Sequence, residues 1–397
     1  MGDLKVSVVI PYKQRLDNLR LSLSALAEQT MDSSEFEVVI GAMEYTHEYL
    51  SVCHEFLDRI TVVSVLTTDA WNAQRARNLA IQQASGQVLV VLDVDMVVPA
   101  DFLETLYRRY FLHGQNQCVV GQMIGYDEVY TEQVDTVEVR PYDHYRAVLA
   151  ELRAANRGGL DSRWSKEYAS ARDRFPWAFA RTALMALPLR TVHQHGLLLD
   201  EGFDGWGPED QEWGFRIALS GTPLVLADDI YAVHLPHARD QQANDREAKL
   251  SNRYYLGKWP RLDLELAIAF GWLETDRCID DVRRQLAVAA GPAPGRSRSL
   301  GTVRGLLEGR DTLLVGAVID PETRTPVPDV NALFDPRATL SVLPLAGFSL
   351  PYPDDDVDVC RVLPPISRLG ERFRDAVIRE AERVGQTLST PPDEGPR

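Results

Sequence analysis

An α/β domain on a mainly parallel sheet, followed by a small appended C-terminal domain, is the fold class this sequence predicts. Three observations predict it. Short, unbroken apolar runs rich in β-branched residues recur between residues 6 and 92. Segments with leucine or alanine at helical spacing separate them. Polar residues able to do chemistry stand where the apolar runs stop.

VSVVI (6–10) ends at Pro11 and does not alternate, as expected of a strand covered on both faces. Leu16, Leu19, Leu23 and Leu26 recur at helical spacing and predict an amphipathic helix over 16–29. Residues 38–40 predict a second strand and TVVSVL (61–66) a third. Asp69 is the expected cap of a helix running to Ala84 and stopped by Gly86. VLVVL (88–92) is the most apolar strand. The order strand, helix, strand, strand, helix, strand indicates a mainly parallel sheet. Ligands of such sheets bind beyond the carboxyl ends of the strands. PYKQR (11–15), AMEY (42–45) and DVD (93–95) fall there.

Further along, residues 116–250 mix short strands with aromatic-rich loops, and 252–285 read as helical. GPAPGRSRS (291–299) is a linker by composition. Beyond it come a strand-like TLLVGAVI, a helix near 371–384 and an expected disordered tail, TPPDEGPR. The predicted division is 1–115, 116–290, the linker 291–299, and a small domain at 300–397, a candidate for self-association.

Composition excludes several classes. The formal charge is -16, from 58 acidic and 42 basic residues, which disfavours non-specific nucleic-acid binding and docking on anionic lipid. Cys53, Cys118, Cys278 and Cys360 lie far apart with no CxxC spacing, as scattered thiols of a reducing compartment do. No secretory apolar region opens the chain, and no run reaches the ~18 apolar residues of a membrane span. A cytoplasmic protein is expected.

Asp93 and Asp95 form a DXD pattern where the most apolar strand stops. In an extended segment, residues two apart face the same side, so their carboxylates repel unless a cation lies between them. Hard divalent ions take such oxygens and leave places for water and phosphate, and a diphosphate is the natural third party. Asp95 is the better ligand and Asp93 the one nearer a nucleoside.

GWGPEDQEWGFR (205–216) is the second stretch of interest. Pro208 suits a first helical turn, and the residues after it predict a helix to Ser220, stopped by Gly221. Glu209 and Asp210 then sit at the positive end of the helix dipole, which favours their ionised forms. An ionised carboxylate there is able to take a proton from an alcohol. Neighbouring helical side chains diverge by ~100°, so the two acids are expected to divide the work. Gly205 and Gly207 let the loop bend, and Trp206 is placed to stack on a ring. Of His193, His195, His234 and His237, His234 is favoured as a metal ligand because it follows an apparent strand, with His237 as the fallback; no HExxH accompanies them. Trp177 is expected to pack the core or border the cleft.

VSVVIPYKQRLDNLRLSLSALAEQT and RARNLAIQQASGQVLVVLDVDMVVP resemble the nucleotide-sugar half of family-2 glycosyltransferases with the Rossmann-like GT-A fold. GWGPED and IYAVHLPH resemble the acceptor half of galactosyltransferase-type enzymes, so the resemblance spans roughly 5–250. More narrowly, TMDSSEFEVV, GAMEY, PWAFA and HLPH resemble the validoxylamine glucosyltransferases of validamycin biosynthesis. This implies inverting transfer of glucose from UDP-glucose to an aminocyclitol pseudosugar, with Mg2+ or Mn2+. It implies Pro11, Tyr12 and Arg15 on the uridine and phosphate side, Arg77 near the donor, and Asp93 near the ribose. It implies Asp95 and His234 on the metal, Asp210 as general base, and Glu209 on the acceptor hydroxyls. Two places depart from the family pattern. GAMEY stands where an Asp pair contacts the uracil, leaving Glu44 as substitute, and Tyr231 stands where some relatives carry a ligating Met. Other saccharide acceptors and a non-catalytic carbohydrate-binding role stay open. A nucleotidyltransferase is disfavoured, because PYKQRLDN lacks the glycines of a triphosphate loop.

Overall fold

The computed structural model describes residues 4–125, 139–154, 161–237, 240–292 and 298–390. Most of the expected linker (293–297) and all but the first residue of the expected tail (391–397) lie outside the described residues. The chain divides into two compact units, Met1–Ser251 and Asn252–Arg397.

The first unit opens with β1 (Val6–Tyr12), α1 (Leu16–Ala27), β2 (Phe36–Ala42), α2 (His47–His54), β3 (Thr61–Leu66), α3 (Ala73–Ile81) and β4 (Val88–Leu92). There follow β5 (Met96–Val97), α4 (Phe102–Tyr110), β6 (Cys118–Ile124), α5 (Tyr142–Ala154), α6 (Ala169–Arg174), β7 (Leu184–Pro188), α7 (Leu189–His195), α8 (Glu209–Leu219), β8 (Leu224–His234) and α9 (Gln241–Lys258). Every residue of β1, β2 and β4 is buried. Val6, Val8 and Ile10 pack in one apolar cluster and Val9 in another, so both sheet faces are covered and the strands have no polar alternation to show.

The eight strands run in the order β3-β2-β1-β4-β7-β6-β8-β5. β3, β2, β1 and β4 pair in parallel, as expected. Beyond β4 the sheet is mixed: β7 is antiparallel to β4 and β6, β8 is parallel to β6, and β5 is antiparallel to β8.

One local expectation needs correction, and one helix was not foreseen. The cap of α3 is Asn72, whose side chain accepts from the Arg75 amide at 2.9 Å. Asp69 instead pairs with the Arg75 guanidinium at 2.6 Å, so the helix starts later than its acid suggested. The short helix α2 was not expected; Thr46 caps it, and Tyr49, Val52 and Cys53 bury one face.

The second unit continues with α10 (Leu262–Phe270), α11 (Trp272–Ala290), β9 (Ser299–Leu307), β10 (Arg310–Asp320), β11 (Thr325–Pro326), α12 (Pro328–Asn331), β12 (Ser341–Leu343), β13 (Val359–Val362), α13 (Glu371–Val384) and β14 (Leu388–Ser389). Its sheet runs β12-β9-β10-β13-β14, with β11 on β10. TLLVGAVI lies within β10, and the helix expected near 371–384 is α13. Within this unit the fully buried Glu265 accepts three backbone N–H bonds, from Ala346, Gly347 and Phe348.

Candidate active site

The carboxyl ends of β1 and β4, the turn before α8 and the end of β8 meet at a cleft of about 790 Å³ in the first unit. Asp93 and Asp95 both line it. They do not sit in an extended segment: the Met96 amide donates to the Asp93 carbonyl, closing a turn, and the two carboxylates take separate partners. Asp93 holds the buried Arg77 guanidinium at 2.6 Å. Asp95, 4% exposed, receives Arg15 Nη1 at 2.5 Å. The short β5 explains how Asp95 reaches β8. Met96 pairs with His234 across the ladder, and the Leu235 amide donates to the Asp95 carbonyl at 2.7 Å.

This pairing gathers three donors. His237 Nε2 lies 3.2 Å and His234 Nε2 3.8 Å from Asp95 Oδ2. One ligand atom from each of the three residues lies within 4.8 Å of the others. Tyr231, three residues before His234 in β8, does not line this cleft; it lines a separate one with Asp228 and Asp229. His193 and His195 lie exposed on α7, outside the group of three donors. Burial works against the charge on Asp95, but His234, Arg15 and His237 hold its carboxyl below the usual carboxylate range. Burial likewise opposes the Arg77 charge, yet Asp93, Asp210 and Glu209 lift that guanidinium above its ordinary value.

On the β1 side, Pro11, Lys13, Gln14 and Arg15 line the cleft. Tyr12 does not; it is 2% exposed and stacks on Tyr49 with ring centroids 4.7 Å apart. Glu44 stands behind the loop, where its carboxylate accepts the Gln14 amide at 2.7 Å. Gly41 opens the GAMEY stretch, and a Cβ there would come within 1.8 Å of the Ala76 carbonyl oxygen on α3. Backbone contact between β2 and α3 therefore excludes a side chain there. Trp71 is a cleft residue that sequence reasoning missed; the ammonium of Lys13, from the predicted 11–15 stretch, lies 6.0 Å from its indole ring.

Across the cleft, α8 begins at Glu209, and Pro208 occupies the cap position rather than the first turn. Trp213, fully buried, anchors the helix by donating to the Leu197 carbonyl at 2.8 Å. Asp210 Oδ1 accepts from the Thr182 hydroxyl at 2.6 Å. Glu209 Oε2 is buried with no hydrogen-bond partner among the described residues. Burial, then the neighbouring Asp210 charge, push the Glu209 carboxyl up to about 8, against the pull of Arg77. Desolvation thus outweighs the helix dipole at Glu209, contrary to the expectation that both acids stay ionised. Trp206 is 41% exposed on the cleft, and its amide donates to Glu247 of α9 at 2.7 Å. Gly205 lines the same cleft, and a Cβ on Gly207 would come within 2.4 Å of Ser251 Cβ. Trp177 packs edge-on against Phe175 and Phe215 and does not line the cleft. Thr182, Asp204, Asp240 and Glu247 were also missed. They come from separate loops and helices and carry no shared local pattern.

Residues 7–173 match the family model described as Glycosyl transferase family 2, and the chain carries a domain of that family. The parallel strands β3-β2-β1-β4, continued by a mixed half and bearing acids at the end of β4, make the first unit a GT-A domain. The chain is 25% identical to a protein named Validoxylamine A glucosyltransferase from Streptomyces hygroscopicus subsp. jinggangensis, over 97% of this chain and 96% of that one. It is 24% identical to Uncharacterized glycosyltransferase YfnE of Bacillus subtilis, over 86% of this chain and 92% of that one. Among solved structures, the mannosyltransferase PcManGT of Pyrobaculum calidifontis, in complex with GDP-Man and Mn2+, aligns with a TM-score of 0.46 at 18% identity, over 73% of this chain and 76% of that one.

Proposed function

We propose that the protein is an inverting, metal-dependent glucosyltransferase that moves glucose from UDP-glucose to a hydroxyl of a validoxylamine-like aminocyclitol pseudosugar, as in antibiotic biosynthesis of the validamycin type. The observation that carries the chemistry is one cleft holding Asp95, His234 and His237 together with Glu209 and Asp210 at a helix start. The transferred glucose and the acceptor rest on the near full-length similarity to Validoxylamine A glucosyltransferase, and the UDP carrier on the family resemblance.

Asp95, His234 and His237 suit a divalent cation, since they offer one carboxylate oxygen and two imidazole nitrogens. Imidazole nitrogens favour Mn2+ over Mg2+, which prefers an all-oxygen shell. Once bound, the ion supplies positive charge to the diphosphate as it leaves. Arg15 and Lys13, on the same side, add positive charge for the phosphates and Arg77 holds Asp93 in place for the ribose. Asp210 takes the proton of the acceptor hydroxyl as that oxygen bonds to the anomeric carbon and the carbon–oxygen bond to UDP breaks. Glu209, protonated near neutral pH, donates a hydrogen bond to the acceptor, and Trp206 offers a ring face.

On this proposal residues 1–115 supply the donor side, and the acceptor side comes from the stretch after 116, whose cleft-lining members run from Met123 to Glu247. Among the described residues no helix is long and apolar enough to cross a membrane. The four cysteines are free and buried, which fits work in the cytoplasm.

Incubation of the purified protein with UDP-glucose, Mn2+ and validoxylamine A, read by mass spectrometry, tests the proposal. A product one hexose heavier, lost on adding EDTA, supports it. UDP release only with other saccharides would shift the acceptor, and no UDP release across a broad panel would favour a carbohydrate-binding role.

A further inference from the structure

We propose that Thr182 is a positioning residue for transfer: its hydroxyl fixes the Asp210 carboxylate, leaving Oδ2 to take the proton of the acceptor. The inference rests on Asp210 acting as the base. Thr182 is 1% exposed yet reaches the cleft, so its hydroxyl is held by the protein interior while touching a group at the site. The Oγ1–Oδ1 separation of 2.6 Å is that of a strong hydroxyl–carboxylate bond.

A threonine hydroxyl has one proton to donate, and spending it on Oδ1 fixes which oxygen of Asp210 stays open. Without that bond, a carboxylate in the first turn of a helix rotates about two side-chain torsions.

The backbone around Thr182 extends its effect. The Ala183 carbonyl accepts the Asp93 amide at 3.2 Å, and Leu184 opens β7 opposite Leu92 of β4. Arg181 Nη1 reaches back to the Ala180 carbonyl at 2.6 Å, stiffening the approach. The same short segment therefore binds the DVD turn by its backbone and the proposed base by its side chain. It sets the distance between the group that would remove the proton and the groups that would hold the leaving diphosphate. An error of about 1 Å in such a distance costs roughly 100-fold in rate.

The test compares Thr182→Val, which keeps shape and loses the hydroxyl, with Thr182→Ser, which keeps the hydroxyl and loses a methyl. Asp210→Asn is assayed beside them. Initial rates of UDP release are measured with UDP-glucose, Mn2+ and validoxylamine A, and melting temperatures are taken for each protein. The expected result is a kcat roughly 10- to 100-fold lower in T182V with the KM for UDP-glucose unchanged, and rescue of kcat in T182S. Equal loss in T182S and T182V would assign the residue to packing and overturn the inference. An inactive D210N with a fully active T182V would also overturn it while sparing the proposed function. A fully active D210N would remove the base assignment and this inference with it.

Discussion

Asp210 and Glu209 are adjacent acids in different electrostatic states, and substitution separates them. Asp210→Asn removes the proposed base but keeps the shape and the hydrogen-bond acceptor for Thr182. It is expected to lower kcat about 100- to 10,000-fold while calorimetry shows unchanged UDP-glucose binding. Glu209 has its carboxyl pushed up to about 8 by burial and by Asp210, so at neutral pH the folded protein holds a proton that the unfolded chain releases. Native-state stability therefore falls as pH rises from the ordinary glutamate value of 4.5 towards 8. Glu209→Gln mimics the protonated form and removes that slope. Melting curves at a series of pH values check it: the variant gains on the native protein from pH 5 to 8.5, by a few kcal/mol at most. A constant difference would show Glu209 already ionised at pH 5. The acids, Arg15 and His234 were legible because each ends or follows a strand or starts a helix, whereas Arg77, inside α3, was named only through the family resemblance. Thr182, Trp71 and Glu247 were not, because each reaches the cleft only through packing that no local pattern encodes. Tyr12 was misplaced because an aromatic at a strand end reads the same whether it faces ligand or, as here, the Tyr49 ring.

The strands and helices place these residues through a few close backbone contacts. The parallel half was readable from unbroken apolar runs, since burial on both faces removes alternation. The mixed half was harder: β5 has two residues, too few for any periodicity, yet it pins the Asp95 turn against β8. The contact of β2 with α3 at Gly41 yields a prediction. Placing an acid at the start of the GAMEY stretch by Gly41→Asp is not expected to improve UDP-glucose binding. With the Ala76 carbonyl oxygen 1.8 Å from the new Cβ, strand and helix must separate. The expected loss of stability is about 2 kcal/mol or more in urea unfolding, as for other overpacked cores. Tighter donor binding in a stable G41D would show that the contact yields easily and that Glu44 is a poor substitute.

The two compact units divide at Ser251/Asn252, inside α9, and no change of composition marks a boundary within a continuous helix. The β10 and α13 segments were legible as a strand and a helix, whereas the buried anchor Glu265 was not: it looks like any acid in the first turn of a helix. Its carboxylate gathers the amides of Ala346, Gly347 and Phe348, donors that a loop without strand partners would otherwise leave unpaired in the interior. Burial pushes this carboxyl up to about 7 against the pull of those amides, so the native protein should lose stability as pH rises from 4.5 to 7. Replacing the acceptor altogether has a larger effect. Glu265→Leu leaves three buried N–H groups unpaired, each costing about 1–3 kcal/mol, so thermal unfolding is expected to lose at least ~3 kcal/mol at every pH. The cleft, by contrast, is lined by residues between Pro11 and Glu247, none of them in the second unit. Below the melting transition E265L should therefore bind UDP-glucose and Mn2+ as tightly as the native chain, measured by calorimetry at 15 °C. Weakened binding in a protein still folded by circular dichroism would mean that the second unit helps to shape the cleft, and that the chemistry of this chain is not confined to its first unit.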